Sequence, residues 1–114
     1  LINLIDRSHV TMHQAEREIL EFLSAHCVPE TALLCGNSIW MDKAFLAAHM
    51  PKLHDFFHYR IIDVSSIKEL IFRWYPESRA MSEKEVIKRD SHRAVDDVLE
   101  SIEELRYYRK NFFK

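Results

Sequence analysis

The sequence lacks any uncharged apolar run of about 18 residues, the length at which a membrane-spanning helix becomes a candidate. Its first residues also lack the basic and then apolar order of a secretory signal peptide. Both absences argue against a membrane-spanning or secreted protein, so we expect a cytoplasmic one. The chain begins with Leu1 rather than Met, and residues 1–10 read as the continuation of a longer sequence, so we expect a fragment.

Cysteine is scarce, and only Cys27 and Cys35 are present. Two cysteines are too few for a disulfide framework, and these two are too far apart for a CxxC metal or redox site. A reducing compartment therefore suits the protein. The simplest interpretation of both residues is that they are small buried side chains.

The chain also lacks an excess of charge of one sign, since 16 basic residues face 18 acidic ones and the formal net charge is -2. A surface that binds long duplex nucleic acid would show a basic excess. Any nucleic-acid partner should therefore be small or held locally. The length of 114 residues, 47% of them hydrophobic, suffices for one core, and we expect a single domain over residues 1–114.

Local patterns predict alternating helices and strands. Thr11 to Gln14 has the spacing of a capping box, in which the threonine and glutamine side chains bond each other's free backbone N–H groups at a helix start. On the helix that follows, periodicity predicts a buried stripe at Ala15, Ile19, Phe22 and Leu23, with Glu16, Arg17, Glu18 and Glu21 in water.

Two short apolar runs predict strands, over residues 31–35 and 60–64. The first should be buried and lead into a tight turn at Gly36, the only glycine. Helices are expected over residues 41–50, ended by Pro51, and after the second strand, capped by Ser65 or Ser66. We read Trp74 and Tyr75 as core and helix-end packing.

A long amphipathic helix is predicted from Ser91, with a buried face of Val95, Val98, Ile102 and Leu105. Its aromatic and basic end, residues 107–113, should dock on a core or a dimer partner. Strands that alternate with helices indicate an α/β architecture. Two strands do not make a stable open sheet, so we expect further strands upstream or from a partner chain.

Acidic residues near two helix starts are candidate metal ligands. Asp42 lies just past a strand end, where open α/β sheets usually hold ligands, although an aspartate there also complements the helix dipole. His92 precedes Asp96 and Asp97, and a histidine beside carboxylates can act as a general base near a metal. Helical geometry pairs His92 with Asp96, and a solvated charged first turn is the alternative for all three.

Four segments together are similar in order and spacing to oligoribonucleases. They are residues 35–46 (CGNSIWMDKAFL), 57–70 (FHYRIIDVSSIKEL), 73–76 (RWYP) and 92–109 (HRAVDDVLESIEELRYYR). The resemblance runs from about Leu1 to the C-terminus. It implies the C-terminal portion of a ribonuclease H-like exonuclease fold, a mixed sheet flanked by helices, in an N-terminally truncated domain.

The resemblance also implies the site of an exonuclease that uses four acidic residues and one histidine. Asp42 and Asp97 match acidic metal ligands, and His92 matches the general base. This selects Asp97 over Asp96, against the helical-face argument. The first acidic motif of these enzymes, an aspartate and a glutamate separated by one residue, has no match, because Asp6 and Glu16 lie in the wrong context.

Substrate contacts follow from the same resemblance. Tyr59 matches a tyrosine that reaches across a homodimer toward the partner's site, while Arg60 and Ser65 match residues that bind the terminal phosphate of a dinucleotide, and His58 adjoins them. The alternative for Tyr59 and Arg60, an edge-strand pair in a dimer interface, stays open. The remaining histidines show no ligand spacing.

The expected function is 3′-to-5′ hydrolysis of short oligoribonucleotides to 5′-mononucleotides, with two Mg²⁺ or Mn²⁺ ions in the complete site. The expected partners are short single-stranded RNA and a second copy of the chain, with no membrane. The rival hypothesis is a non-catalytic module that keeps the dimer and nucleotide surfaces but lacks the first acidic motif.

Overall fold

A computed structural model of the protein describes residues 10–78 and 94–114. Its helices are α1 (Met12–His26), α2 (Ile39–His49), α3 (Pro51–Phe56), α4 (Val64–Trp74) and α5 (Ala94–Phe112), and its strands are β1 (Leu34–Gly36) and β2 (Ile61–Asp63). The two strands are parallel neighbours in one sheet. The predicted α/β class is confirmed.

The described residues divide into two compact units. The first comprises residues 10–34 and 41–60, and the second comprises residues 35–40, 61–78 and 94–114. The single domain over residues 1–114 stays a prediction. Among the described helices, none combines the length and the apolarity needed to span a bilayer.

In the first unit, α1 begins at the predicted cap. The Thr11 hydroxyl accepts a hydrogen bond from the backbone N–H of Gln14 at 3.0 Å, which confirms the threonine half of the capping box. The Gln14 side chain instead donates to Glu18 Oε1 at 3.4 Å. The cap therefore works in one direction, from the threonine to the first turn of the helix.

The predicted burial of α1 is wrong at three positions. Ile19 and Phe22 are exposed, whereas Glu16 is only 5% exposed. Helix α1 packs against α3, and Glu16 Oε2 accepts a hydrogen bond from Leu53 N, in the first turn of α3, at 3.1 Å. The residue before α3, Met50, has no side-chain oxygen to cap that turn. Glu16 supplies the missing acceptor, and this contact with α3 buries its side chain.

In the second unit, α4 packs against α5 around a core of Val64, Ile71 and Tyr108. Leu105, Tyr107 and Phe112 of α5 pack against this core. The predicted docking of the aromatic end of the last helix is thus confirmed. Burial of these large side chains is the main contribution to the stability of the unit.

The other predicted buried positions of this unit are corrected. Val95, Val98 and Ile102 are exposed, because α5 meets the core along its C-terminal half, and Leu105 is half-buried. Trp74 is 67% exposed and is not a core residue. Tyr75 is also exposed, although its ring lies 5.1 Å from that of Phe112, which is the predicted helix-end packing. The predicted helix start at Ser91 lies outside the described residues.

Both strands are shorter than predicted. β1 is half-buried with alternating exposure rather than fully buried, and Cys35 is exposed on it while Cys27 is half-buried. Both cysteines are free. The cap of α4 is Asp63, whose carboxylate accepts from Ser65 N at 3.0 Å, and not Ser65 or Ser66. Asp63 is favoured because it ends β2 with extended backbone, from which its side chain reaches the first turn of α4.

The Cys35 thiol lies under the influence of Asp63. Partial removal of water raises the pKa of Cys35 above its usual value, and the negative charge of Asp63 raises it further. The thiolate, which is the reactive form, is therefore scarcer at neutral pH than for an ordinary cysteine. Cys35 should react slowly with electrophiles despite its exposure.

We predict that Glu16→Ala destabilises the intact protein by about 1–3 kcal/mol, because the N–H of Leu53 loses its buried acceptor. Urea unfolding monitored by circular dichroism measures this difference. The matched control is Glu21→Ala, since Glu21 is exposed on the same helix and its removal should cost less than about 0.5 kcal/mol. Equal losses in the two variants would contradict the capping role of Glu16.

We further predict that Asp63→Asn accelerates alkylation of Cys35 by iodoacetamide at pH 8. Asparagine keeps a capping oxygen but removes the charge, so the pKa of Cys35 falls and its thiolate fraction rises. Mass spectrometry of the peptide that carries Cys35 gives the rate. The control is Glu69→Gln, which changes an exposed carboxylate on α4 and should leave the alkylation rate of Cys35 unchanged. An unaltered rate in Asp63→Asn would show that loss of water alone sets the pKa of Cys35.

Candidate active site

Three polar residues of the second unit meet where the two parallel strands end. Ser38 lies in the turn after β1, Asp63 is the last residue of β2, and Ser65 is in the first turn of α4. The carboxyl ends of strands are where open α/β sheets hold ligands. We call these three residues the cradle.

The cradle is organised around the backbone N–H of Ser38. That N–H donates to Asp63 Oδ1 at 2.9 Å and to Ser65 Oγ at 3.0 Å. Ser38 has φ of 51°, in the left-handed region that non-glycine residues rarely adopt. The two acceptors hold the chain in this strained conformation. The Ser38 and Ser65 hydroxyl oxygens lie 3.4 Å apart as a result.

A chain of hydrogen bonds leads from the cradle to α5. The Ser65 hydroxyl donates to Asn37 Oδ1 at 3.0 Å, and Asn37 Nδ2 donates to Ser101 Oγ at 2.8 Å. The Ser101 hydroxyl in turn donates to the backbone carbonyl of Asp97 at 3.0 Å. The residue after β1 is thereby connected to the first part of α5.

The neighbouring aspartates of α5 differ in their surroundings. Asp97 is exposed, and its carboxylate makes no hydrogen bond or ion pair with the part of the chain that the structure describes. Asp96 is half-buried and has an interaction partner. Of the two residues, Asp97 is the more exposed to solvent.

Asp42 is an exposed residue in the first turn of α2, within the first unit. Its carboxylate likewise has no hydrogen-bond or ion-pair partner within residues 10–78 and 94–114. This position suits a ligand for a cation, and it also suits the alternative, an aspartate that complements the dipole of α2.

The predicted general base, His92, lies outside the described residues. Within residues 10–78 and 94–114, no three His, Cys, Asp or Glu side chains come together as a metal-binding group. Aspartate carboxylates, such as that of Asp42 in the first unit and that of Asp97 in the second, are the oxygen donors that magnesium and manganese prefer. Glu16 accepts the hydrogen bond that caps α3.

His58, Tyr59 and Arg60 form a stacked group in the first unit. The rings of His58 and Tyr59 are 4.6 Å apart and nearly parallel at 24°, and the Arg60 guanidinium carbon lies 5.4 Å from the Tyr59 ring centre. Arg60 N donates to His58 Nδ1 at 3.0 Å, which fixes the turn. All three precede β2, so Tyr59 and Arg60 lie outside the strand, while their place in a dimer interface stays a prediction. Tyr59 is 71% exposed and presents a flat aromatic surface.

Sequence reasoning missed four of these residues: Asn37, Ser38, Asp63 and Ser101. A signal existed for Asp63, since an aspartate at a strand end just before a helix is a preferred cap. Ser38 and Asn37 follow a predicted strand, where polar residues often face a ligand. No local signal marks Ser101, because its partner Asn37 is far away in the chain.

Comparisons with known proteins identify the family of the chain. The exonuclease family model matches residues 5–105. An oligoribonuclease of Chromobacterium violaceum is 50% identical to the whole chain, which covers 61% of that protein. Mitochondrial oligoribonucleases of mouse and human are 49% and 47% identical to the whole chain, which covers 47% of each. The chain thus spans about half to three-fifths of the length of these relatives.

The resemblance to oligoribonucleases and the ribonuclease H-like fold expected from it are confirmed by these matches. The family typically uses divalent metal ions. A family match over most of the chain, on a fold whose polar residues gather at the strand ends, leads to one conclusion: the chain belongs to the exonuclease family.

Proposed function

We propose that the protein is a 3′-to-5′ exoribonuclease that hydrolyses short oligoribonucleotides to 5′-mononucleotides. The observation that carries the proposal is the identity of about half of the residues, along the whole chain, with proteins named oligoribonuclease. The polar residues of the cradle at the strand ends and the exposed Asp97, all in the second unit, support the proposal.

Asp42 and Asp97 are the proposed metal ligands, with Mg²⁺ or Mn²⁺ as the ion. When bound, a pair of divalent ions lowers the pKa of an attacking water and stabilises the leaving oxygen of a phosphodiester. Aspartate suits this role because its oxygens match these hard cations. We favour Asp97 over Asp96 because the resemblance matches the metal-ligand aspartate to the position five residues after His92, which is Asp97.

His92 is the proposed general base. A neutral imidazole can accept the proton that an attacking water loses, and histidine is the side chain best matched to this exchange near pH 7. Its position shortly before α5, which carries Asp97, places base and ligand on neighbouring parts of the sequence.

The terminal phosphate of the substrate is assigned to Ser65 and Arg60. Ser65 lies in the first turn of α4, and it is the residue that the resemblance matches to a contact with the terminal phosphate. The guanidinium of Arg60 offers forked donors that match phosphate oxygens. His58 supports Arg60 through its hydrogen bond. A phosphate held at one end of the site would explain a preference for substrates of two to a few nucleotides.

Tyr59 is proposed to act on the site of a second subunit, where its exposed ring can contact a base or the terminal phosphate. The protein would then be a homodimer, with each active site completed by its partner. The cytoplasmic location stays a prediction.

The rival function is a non-catalytic nucleotide-binding and dimerisation module. One observation favours it: the first acidic motif has no match in the sequence. Incubation of the natural full-length protein with a labelled dinucleotide and Mn²⁺ separates the two functions. Cleavage supports the exonuclease, whereas binding without cleavage supports the module.

We predict that Asp97→Asn lowers kcat for dinucleotide cleavage in the full-length protein by more than about 100-fold, beyond the loss expected for a residue that only supports a ligand. Asp96→Asn is the matched control, because it removes the same charge one residue away, and it should cost less than about tenfold. Steady-state kinetics at saturating Mn²⁺ measures both. If Asp96→Asn lowered kcat more than Asp97→Asn, the metal ligand would be Asp96, as the helical-face argument predicts.

We also predict that two inactive variants restore activity when mixed. His92→Ala removes the base, and Tyr59→Ala removes the group that reaches the partner subunit. A mixed dimer contains one site with both residues intact, so random exchange of subunits should restore about one quarter of the wild-type activity per subunit. Cleavage of labelled dinucleotide is measured before and after exchange. Absence of recovery, with mixed dimers demonstrated by mass spectrometry, would show that Tyr59 acts only in its own subunit.

A further inference from the structure

We infer that Asn37 and Ser101 are positioning residues that hold the first part of α5, and with it Asp97, against the turn after β1. This inference deepens the proposed function, because it rests on Asp97 as a metal ligand. It concerns the contact that fixes the position of one proposed metal ligand, Asp97.

The packing of α5 explains why such a contact is needed. Its core residues are Leu105, Tyr108 and Phe112, all in the C-terminal half of the helix. In the N-terminal half, Val95 and Val98 are 70% and 58% exposed. Apolar packing therefore holds the end of α5 that is remote from Asp97.

The Asp97 carboxylate is not held by a side-chain contact either, since it has no hydrogen-bond or ion-pair partner in the described ranges. Its location is thus set by the backbone of its own helical turn. The hydroxyl of Ser101 donates to the carbonyl of Asp97, and Asn37 donates to Ser101. A displacement of that turn away from the segment after β1 would stretch the Asn37–Ser101 bond.

The direction of each bond is fixed by the number of protons available. A serine hydroxyl has one proton, and that of Ser101 is donated to the Asp97 carbonyl. Ser101 must therefore accept from Asn37, which places the Asn37 amide group toward Ser101 and its carbonyl oxygen toward Ser65. Both polar atoms of the Asn37 side chain are hydrogen-bonded, so this side chain links the cradle to α5 at a fixed distance.

A purely structural role would behave differently. Alanine has a higher helix propensity than serine, and a serine bonded to the carbonyl four residues back slightly destabilises a helix. The Asn37–Ser101 bond is also exposed, so water can replace it. Ser101→Ala should therefore leave the melting temperature nearly unchanged while it loosens the placement of Asp97.

The test uses the full-length protein and Mn²⁺. We expect Ser101→Ala to weaken Mn²⁺ binding, measured by calorimetry without substrate, by roughly tenfold, the lower end of losses seen for residues that orient metal ligands. At saturating Mn²⁺, KM for a dinucleotide should change by less than about twofold, because the phosphate contacts stay in place. The melting temperature is recorded for each variant.

Four further variants, among them Asn37→Ala alone, sharpen the result. Ser101→Thr keeps a hydroxyl that can bond the same carbonyl and should restore Mn²⁺ affinity. Ser66→Ala, at an exposed serine of α4, is the control and should bind Mn²⁺ as the wild type does. Asn37→Ala combined with Ser101→Ala should lose less affinity than the sum of the two single changes, because both remove one shared bond.

Unchanged Mn²⁺ affinity in Ser101→Ala, with cleavage intact, would overturn the inference and leave the exonuclease function standing. A fall in melting temperature that parallels the loss of affinity would overturn it as well, since it would indicate a structural role. A wild-type protein that neither binds Mn²⁺ nor cleaves a dinucleotide would instead contradict the proposed function.

Discussion

The carboxylate of Asp63 is the group on which the candidate site depends. One oxygen, Oδ1, accepts hydrogen bonds from the backbone N–H groups of Ser38 and Ser65. The first bond holds the turn after β1 in its left-handed conformation, and the second begins α4. Because a charged acceptor forms stronger bonds than a neutral one, a single side chain fixes two loops from two parallel strands in register with each other.

Periodicity and capping rules predicted the order of elements but not which faces they bury. Thr11 caps α1 as expected, and the aromatic end of α5 docks as expected. The apolar stripes at Ile19 and Phe22, and at Val95 and Val98, are real in the sequence but exposed in the structure. An apolar stripe shows that a helix has an apolar face, but the tertiary structure decides which residues, if any, cover that face.

The site was predicted through its resemblance to oligoribonucleases more than through local rules. Helical spacing pairs His92 with Asp96, whereas the resemblance selects Asp97, and the choice of Asp97 stays a prediction. The cap of α4 was missed because two serines follow Asp63 and compete with it in any scan for capping residues. The bond between Asn37 and Ser101 could not be found at all, since it joins distant parts of the chain whose approach only the fold creates.

The two units use polar side chains in comparable ways. In the first, Glu16 reaches from α1 to the uncapped start of α3. In the second, Asp63 caps α4 while it also receives Ser38. In both places a carboxylate satisfies backbone donors that the local sequence leaves free, and a helix start is thereby tied to another segment of the same unit.

The stacked arrangement around Tyr59 has an entropic consequence. The ring of His58 on one side and the guanidinium of Arg60 nearby restrict the rotamers that the Tyr59 side chain can adopt, even though most of it is in water. Immobilising a free side chain on association costs about 0.5–1.5 kcal/mol. Folding has already restricted the rotamers of Tyr59. A planar group that stacks on this ring therefore causes little further loss of side-chain entropy.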